Sequence, residues 1–268
     1  MELNKIYQGD SLLLLKELPD NSVDLVITSP PYSDLKNYIK NKGIHPDKYV
    51  DWFLPFCQEI ERVIKPTGSF ILNINDKVDE NGFRHPYVFD LISRLHKETN
   101  LKMVDRLFWN KMKSLPIRNR FSDRVEFLFW FAKTTDYYFD IDSMRNEYSD
   151  KSIKRMKNPL KRRFARTEND DGLEYKNWNP NTKGALPNTL INISSETKRI
   201  SNKHVAVYPT KLVEYFIKGS TKEGDLVLDP FSGTGTTALV AKNLNRNWIG
   251  FELEMEFIAE SEKRINGK

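Results

Sequence analysis

The strongest constraint on the fold is an alternation between short apolar runs and longer amphipathic stretches. Leu25–Thr28 has the length and composition of a buried strand, and Tyr49–Ile64 has the period of a helix. In that helix Phe53, Cys57 and Ile60 share one face, which makes Cys57 a core residue. Strands that alternate with helices form parallel sheets, because each helix returns the chain to begin the next strand. The sequence therefore predicts an α/β fold with a doubly wound, mostly parallel sheet and helices on both faces.

The same patterns give bounds for the individual elements. The predicted strands are Lys5–Gln8, Leu25–Thr28, Ser69–Asn75, Val104–Trp109, Val125–Phe131, Leu226–Leu228 and Trp248–Phe251. The predicted helices are Ser11–Leu18, Tyr49–Ile64, Tyr87–His96, Thr210–Lys218, Ala238–Leu244 and Glu254–Ile265. Ser11 is the predicted cap of the first helix, and residues 66–68 (Pro-Thr-Gly) are predicted to form a turn.

The alternation stops between residues 133 and 203. This stretch is rich in Asn, Lys, Asp, Ser and Thr and has little periodicity. It is too long for an ordinary loop, so it predicts a small lobe or a functional insertion. We therefore divide the chain into residues 1–132, 133–203 and 204–268, with the outer two as halves of one domain.

The positive charge is concentrated in Lys151–Arg166, which holds eight basic residues and no Asp or Glu. Removing eight basic residues there takes the formal net charge from +5 to −3. Such a run is typical either of a solvated loop or of a segment that binds nucleic-acid phosphates, and the sequence leaves both interpretations open. The eight residues are Lys151, Lys154, Arg155, Lys157, Lys161, Arg162, Arg163 and Arg166.

The composition excludes a disordered or membrane-spanning chain. Hydrophobic residues make up 39% and charged residues 29%, and the mean hydropathy is −0.60. The longest apolar run, Phe127–Ala132, is far too short to cross a bilayer. The first ten residues lack the apolar segment of an export signal, so a cytoplasmic location is predicted. A single cysteine and four histidines without ligand spacing predict neither a disulfide nor a metal site.

A glycine-rich turn follows the predicted strand Leu226–Leu228. It reads Asp-Pro-Phe-Ser-Gly-Thr-Gly over residues 229–235. Its glycines let the backbone approach a ligand, and open α/β sheets bind ligands at the carboxyl ends of their strands. The turn lacks the Gly-Lys-Ser/Thr of a P-loop and the third glycine of the dinucleotide motif. Glu252, at the end of the next strand, is placed to accept both hydroxyls of a ribose. The turn and Glu252 together favour an adenosine-type ligand over a plain helix-capping turn.

A pair of prolines ends the strand Leu25–Thr28, in the sequence Ser29-Pro30-Pro31-Tyr32. Prolines have a fixed φ and no N–H, so the carbonyls of Ser29 and Pro30 are not claimed by a following helix. These carbonyls and Ser29 Oγ provide rigid acceptors, and Tyr32 provides a flat ring. The combination suits a planar substrate with an exocyclic amine; the alternative is a simple strand terminator.

Together these motifs resemble those of the amino-methyltransferases of DNA, which use S-adenosylmethionine as methyl donor. Their order resembles the beta group, in which the cofactor loop follows the catalytic motif: Gly9–Ser11, then Thr28–Tyr32, then the basic stretch, then Asp229–Gly235. The segment His204–Leu212 also resembles the part of the family that precedes the cofactor loop.

The resemblance covers nearly the whole chain outside residues 133–203. It implies a circularly permuted, Rossmann-like methyltransferase fold with 1–132 as its catalytic half and 204–268 as its cofactor-binding half. Residues 133–203 correspond to the variable target-recognition region, from which no residue can be transferred.

The resemblance also implies roles for single residues. Asp10 receives the adenine amine of the cofactor, Glu252 holds its ribose, and a third group lies near its methionine end. The complete cofactor set is Asp10, Tyr208, Thr210, Lys211, Asp229, Phe231, Gly233, Gly235, Thr236 and Glu252, of which Tyr208, Thr210 and Lys211 form that third group. The catalytic set that holds the target base is Ser29, Pro30, Pro31 and Tyr32.

The implied partner is double-stranded DNA with a short recognition sequence. The target base is implied to flip out of the duplex into the active site, because an enzyme cannot reach a base inside the duplex. A companion restriction endonuclease and a monomer or dimer are also implied.

The Thr-Ser-Pro-Pro-Tyr form is similar to enzymes that methylate the N4 amine of cytosine, while Asp-Pro-Pro-Tyr is commoner among adenine N6 enzymes. Adenine methylation therefore stays as an alternative, as do methylation of RNA or protein and a catalytically silent nucleic-acid-binding module. Carbon-5 methylation of cytosine is rejected, because it needs a reactive thiolate and Cys57 lies on an apolar face.

Overall fold

The computed structural model describes residues 1–33, 44–79, 81–112, 118–157, 162–164, 174–176, 181–195 and 208–267. The strands in these ranges are β1 (Lys5–Gln8), β2 (Val23–Thr28), β3 (Ile64–Ile74), β4 (Lys102–Asn110), β5 (Val125–Ala132), β6 (Arg162–Phe164), β7 (Glu174–Lys176), β8 (Leu190–Asn192), β9 (Leu226–Asp229) and β10 (Asn247–Glu252). The helices are α1 (Ser11–Lys16), α2 (Pro46–Val63), α3 (Tyr87–Glu98), α4 (Asp150–Lys157), α5 (Thr210–Ser220), α6 (Thr236–Asn243) and α7 (Met255–Asn266), with a short 3₁₀ turn at Asp142–Met144.

Eight of these strands form one sheet in the order β1-β10-β9-β2-β3-β5-β4-β8. The pairs from β1 through β3 are parallel, whereas β5 is antiparallel to both β3 and β4. The order reverses direction next to β2 and β9, which is where open α/β sheets place their ligands. The predicted α/β fold with a mostly parallel sheet is confirmed.

The central strands bury side chains on both faces of the sheet. Val26 and Phe70 pack into one core cluster with residues of α1, α2 and α3. Their neighbours Leu25 and Ile71 are equally buried and point to the opposite face, because successive side chains in a strand alternate. On that face α5 contacts β2 and β3, and α6 packs between α5 and α7. Central strands that are apolar on both faces explain why their sequences read as continuous apolar runs.

The chain divides into two compact units. The larger comprises residues 1–140 and 189–268, and the smaller comprises residues 141–188. The smaller unit is narrower than the stretch of changed composition, because Trp130 packs against Tyr137 and Phe139 and thereby holds residues 133–140 to the larger unit. Strand β8 likewise extends the large sheet by pairing with β4.

Within the smaller unit, a few polar contacts tie its segments together. The Arg145 guanidinium donates to the Asp142 carboxylate at 2.7 Å and to the Gly184 carbonyl at 2.9 Å. Lys183 Nζ lies 2.8 Å from the same carboxylate, and these two cations lower the pKa of Asp142. The strands β6 and β7 of this unit pair antiparallel.

Two local predictions were wrong. The cap of α1 is Asp10 and not Ser11: Asp10 Oδ1 accepts from the backbone N–H groups of Leu12 and Leu13 at 2.9 and 3.2 Å. A carboxylate reaches these N–H groups as well as a hydroxyl does, so the cap can move by one residue. Residues 66–68 do not form a turn but belong to β3. At Gly68 the β2 backbone comes so close that a Cβ would stand 2.8 Å from the Asp24 carbonyl oxygen.

Over the described ranges, the helices include none that is both long and apolar enough to cross a membrane. The same ranges contain no group of three or more histidine, cysteine, aspartate or glutamate side chains that could hold a metal ion. Cys57 is fully buried, and burial raises the pKa of its thiol well above the ordinary value. A buried thiol of this kind is a core side chain and not a nucleophile.

Candidate active site

The two motifs singled out in the sequence lie side by side in the sheet. β2 and β9 are neighbouring parallel strands, so Ser29–Tyr32 and the glycine-rich turn both leave the sheet at its carboxyl edge. A direct bond joins them: Thr28 Oγ1 donates to Asp229 Oδ1 at 2.7 Å. The strand that leads into Ser29–Tyr32 and the start of the turn are therefore joined by two residues 201 positions apart in the chain.

Asp229 organises the start of the turn. It is 1% exposed, and its carboxylate accepts four hydrogen bonds. Oδ1 receives Thr28 Oγ1 and the Phe231 N–H, while Oδ2 receives Thr237 Oγ1 at 2.6 Å and the Tyr208 hydroxyl at 2.9 Å. Burial raises the pKa of the Asp229 carboxyl, and the four donors oppose that rise. The buried carboxylate thus fixes the backbone at the start of the turn through its hydrogen bonds.

The glycines of the turn are required by its geometry. Gly233 and Gly235 have φ values of 52° and 74°, in the left-handed region that side chains disfavour. A Cβ on Gly235 would also lie 2.5 Å from the Cβ of Ser261 on α7. This glycine therefore allows α7 to pack directly against the start of α6, at which Thr236 is the first residue and is 3% exposed.

Glu252 ends β10 and faces the turn. Its Oε2 accepts the Gly233 N–H at 2.8 Å, and its Oε1 accepts the N–H groups of Leu253 and Glu254 at 2.9 Å. Burial raises the pKa of the Glu252 carboxyl, and these three donors oppose the rise. Oε2 keeps a further lone pair, so the side chain can also accept a hydroxyl group of a ligand.

The predicted adenine contact, Asp10, lies beside the same edge. The Gly9 N–H donates to the Glu252 carbonyl at 3.0 Å, and Ser11 Oγ donates to the Pro230 carbonyl at 2.5 Å. These bonds place the end of β1 next to both the turn and β10. Asp10 uses Oδ1 as the cap of α1, which leaves Oδ2 for a ligand amine.

Phe231 is held by an aromatic cluster on α2. Its ring centroid lies 5.3 Å from that of Phe56 and 6.0 Å from those of Trp52 and Phe53. A ring packed on three neighbouring rings is held in one position.

Ser29 and Tyr32 follow β2, beside the turn that follows β9. Ser29 Oγ donates to the Tyr32 hydroxyl at 3.4 Å, and that hydroxyl donates to Glu126 Oε2 on β5 at 2.8 Å. Pro30 is buried, and the Pro31 carbonyl accepts the Tyr49 hydroxyl of α2 at 3.0 Å. Burial, and then the charge of Glu126, raise the pKa of Tyr32 well above its ordinary value. Tyr32 is therefore a neutral hydroxyl at physiological pH.

The three residues predicted near the methionine end are placed differently from one another. Tyr208 reaches the turn, because its hydroxyl contacts both Asp229 and Thr237. Thr210 is the first residue of α5 and is partly buried, whereas Lys211 in the same turn of helix is exposed.

Of the predicted DNA contacts, four lie on α4 and two on β6. Lys151, Lys154 and Arg155 are exposed, which suits either a solvated helix or a phosphate-binding surface. Lys157 ends the helix, and Arg162 and Arg163 lie in the first two positions of β6. Lys161 and Arg166 fall outside the described residues.

Sequence reasoning missed several residues that complete the site. Thr28 and Thr237 supply hydroxyls to Asp229. Glu126 receives Tyr32, Asn73 Nδ2 at 3.3 Å and Lys111 Nζ at 3.1 Å. The available signal was polarity inside an apolar strand: Asn73 interrupts SFILNIN, and Glu126 interrupts VEFLFWFA. Without the strand order, nothing indicated that these two strands flank Tyr32.

The residues present fit S-adenosylmethionine. A glycine turn at the carboxyl edge of parallel strands admits a ligand to the backbone, Glu252 Oε2 offers an acceptor position for a ribose hydroxyl, and Phe231 offers an aromatic ring held in place. Asp10 offers a second carboxylate oxygen at the same edge. When bound, the molecule supplies a methyl group already activated by a positively charged sulfur.

Comparison with known proteins agrees with this geometry. A family model described as DNA methylase matches residues 23–263. The chain is 34% identical over 266 residues to the type II methyltransferase M.BglII of Bacillus subtilis, covering 99% of this chain and 70% of that one. It is 32% identical over 279 residues to M.PvuII of Proteus hauseri, covering 97% and 83%.

Solved structures give the same result. The PvuII DNA methyltransferase, described as cytosine-N4-specific, matches with a TM-score of 0.73 and 28% identity over 97% of this chain and 85% of that one. A DNA modification methylase from Thermus thermophilus, in complex with S-adenosyl-L-methionine, matches in fold with a TM-score of 0.67 at 21% identity, over 98% and 93%. The predicted fold of an S-adenosylmethionine-dependent methyltransferase is confirmed, and S-adenosylmethionine as cofactor agrees with these matches. The chain therefore belongs to the N4/N6 amino-methyltransferases, a family of DNA methylases.

Proposed function

We propose that this DNA methyltransferase transfers the methyl group of S-adenosylmethionine to the exocyclic N4 amine of cytosine, within a short sequence of duplex DNA. The observation that carries the proposal is the bond between Thr28 and Asp229, because it sets the Ser-Pro-Pro-Tyr corner beside the turn proposed to hold the donor. Direct transfer needs the two reactants in line and close together more than it needs a strong base.

The choice of cytosine rests on two features. The motif is Thr-Ser-Pro-Pro-Tyr, the form similar to cytosine-amine enzymes, and the PvuII DNA methyltransferase that matches this chain in fold is described as cytosine-N4-specific. The amine of cytosine is a poor nucleophile, because its lone pair is conjugated with the ring. In our proposal Ser29 Oγ and the Pro30 carbonyl accept its two N–H groups and turn the nitrogen towards tetrahedral geometry.

Tyr32 supports the everted base in this proposal. Flipping the cytosine out of the duplex costs a few kcal/mol of stacking, and a ring beside Ser29 replaces part of that loss. Its hydroxyl is tied to Glu126, so the ring is held in one orientation before the base arrives. Pre-set orientation of this kind lowers the entropy lost on binding.

The proposed cofactor contacts are made by residues of the turn and of the neighbouring strand ends. Asp10 accepts the adenine amine, Glu252 holds the ribose hydroxyls, and Phe231, Gly233, Gly235 and Thr236 shape the turn. Tyr208, Thr210 and Lys211 are proposed to lie near the methionine end, with Asp229 fixing the turn from within. The basic residues of 151–166 are proposed to contact DNA phosphates, each releasing counterions.

Mass-spectrometric nucleoside analysis of methylated DNA tests the target base. Unmethylated high-molecular-weight DNA is treated with the enzyme and S-adenosylmethionine, then digested to nucleosides. We expect N4-methylcytosine; finding N6-methyladenine alone would overturn the assignment. A Ser29→Ala sample is the control for contaminating methylases, since it should give far less of the same product.

We also propose a companion restriction endonuclease, because the relatives that cover most of this chain are named type II methyltransferases. Single-molecule sequencing of DNA from a host that expresses the gene gives the modified sequence. DNA carrying that modification should resist digestion by an extract of the source organism, and unmodified DNA should be cut. Equal cutting of both DNAs would contradict a companion enzyme.

A further inference from the structure

The carboxylate of Glu126 accepts a hydrogen bond from Tyr32 and has no part in the function proposed above. Glu126, the second residue of β5, is 14% exposed and accepts from Tyr32, Asn73 and Lys111. Among the described residues, the groups that face it are one neutral hydroxyl, one amide and one ammonium group, the last lying 3.1 Å away and carried by the residue that follows β4. The ammonium balances the charge of the carboxylate without occupying the oxygen that faces Tyr32.

The two hydrogen bonds that link Ser29 to Glu126 are both donated in the direction of Glu126. Ser29 Oγ donates to the Tyr32 oxygen, and the Tyr32 hydroxyl donates to Glu126 Oε2. The first of these bonds is long at 3.4 Å, and catalytic hydrogen bonds commonly shorten when substrate binds. Because burial keeps Tyr32 neutral, its proton is present and available for donation.

We propose that Glu126 is the terminal acceptor of the proton released during methyl transfer, reached from the substrate amine through Ser29 and Tyr32. Glu126 acts through Tyr32 and does not touch the base, so it is a positioning residue that also takes up a proton. The inference rests on the role proposed above for Ser29, and it applies to either target amine.

The proton balance of this relay closes. Transfer breaks the bond between the methyl carbon and sulfur and forms a bond from that carbon to the amine nitrogen, which leaves a neutral thioether and a positively charged amine. The amine gives one proton to Ser29 Oγ, the Ser29 hydrogen passes to Tyr32, and the Tyr32 hydrogen passes to Glu126. Ser29 and Tyr32 each gain one hydrogen and lose one, so both end as neutral hydroxyls. The partly exposed Glu126 then returns its proton to water.

The test is a comparison of Glu126→Gln with the wild-type enzyme. Glutamine keeps the size of the side chain and an oxygen for Tyr32, but it cannot take up a proton. We expect S-adenosylmethionine binding within about twofold of wild type by calorimetry and a single-turnover rate lowered about 10²-fold, the usual size of acid–base catalysis. The pH–rate profile should lose one ionisation on its acid side. A purely structural role for Glu126 would leave that ionisation in place.

Two further variants sharpen the test. Tyr32→Phe keeps the ring but breaks the relay, so it should slow transfer similarly, and the double variant should be no slower than the slower single one. Glu59→Gln is the matched control, because Glu59 is also partly buried, at 22%, and is paired with an arginine on α2. That control should keep the wild-type rate and pH profile.

The proposal is overturned if Glu126→Gln turns over at the wild-type rate, if its acid-side ionisation is unchanged, or if the losses in the double variant multiply. Thermal unfolding checks that each variant folds. If Glu126→Gln does not fold, Tyr32→Phe decides alone: an unchanged acid side in that variant overturns the relay. The methylated nucleoside reports separately on the proposed function, because a failed relay leaves the identity of the product unchanged.

Discussion

In the turn after β9, the Asp229 carboxylate is buried and receives four hydrogen bonds, whereas α4 of the smaller unit presents Lys151, Lys154 and Arg155 to solvent. Polar groups in the first region fix a geometry, and they cannot be removed without leaving their partners unsatisfied. Charges in the second region act at a distance through solvent and contribute little to folding. A change in the turn should therefore cost stability and function together, while a change on α4 should affect DNA binding alone.

The strongest test of this contrast is Asp229→Ala. It leaves three hydroxyls and one N–H without their acceptor, so we expect S-adenosylmethionine binding and activity to be lost. The free energy of unfolding should fall by roughly 3 kcal/mol or more. Calorimetric titration and urea unfolding measure the two effects. Asp90→Ala, which removes an exposed carboxylate on α3, should change stability by less than about 0.5 kcal/mol; equal losses in both variants would remove the special role of Asp229.

Gly235→Ala tests whether the turn tolerates any side chain. Gly224 is the matched control, because it also has a positive φ, of 84°, but nothing lies within 4 Å of where its Cβ would stand. Gly224→Ala should cost about 1–2 kcal/mol from backbone strain alone. Gly235→Ala should cost about 1–3 kcal/mol more, because the new methyl group meets Ser261. Urea unfolding curves compare the two, and equal costs would show that α7 yields at this contact.

Ser29→Ala separates chemistry from cofactor binding at the edge of the same region. Ser29 lies one residue beyond Thr28 and has no contact with the Asp229 carboxylate among the described hydrogen bonds. We expect S-adenosylmethionine affinity near wild type and a single-turnover rate lowered about 10²-fold. Unchanged turnover would remove Ser29 from the mechanism, and lost affinity would place it in the cofactor site.

The smallest effect is expected on α4. Changing Lys151, Lys154 and Arg155 together to glutamine should weaken duplex binding about tenfold at moderate salt and reduce the slope of log K against log salt by up to about 3. The thermal unfolding midpoint should not change. Substituting the exposed Lys16, Lys97 and Lys263 in the larger unit removes the same charge and serves as control. An unaltered salt slope in the α4 variant would favour the solvated interpretation of the basic run.

The two regions also differ in how far the sequence predicted them. The turn was predictable because its glycines, its strand and Glu252 lie close together in the chain and follow local rules of conformation. The partners of that turn were not, because Thr28 and Tyr208 meet Asp229 only through strand order and packing. Glu126 was missed for the same reason, since its neighbour Tyr32 lies 94 positions away.

The boundaries of the smaller unit illustrate a further limit. Composition changed at residue 133, yet aromatic packing on Trp130 holds residues 133–140 in the larger unit. A change in composition shows where polar residues become frequent. It does not show where the chain stops packing against the larger unit. The local errors at Ser11 and at residues 66–68 have a similar origin, because neighbouring groups compete for one cap and a close approach between strands overrides a turn signal.

The pairing of β1 with β10 and of β2 with β9 has a consequence for how the enzyme matures in the cell. A ribosome that has translated the chain only as far as the smaller unit has already made the Ser-Pro-Pro-Tyr corner, but neither of the two strands that complete its surroundings. Contacts of such long sequence separation form late and slowly. Chains that have not yet made β9 and β10 are therefore expected to be unable to methylate DNA, and methylation begins only after both strands have left the ribosome.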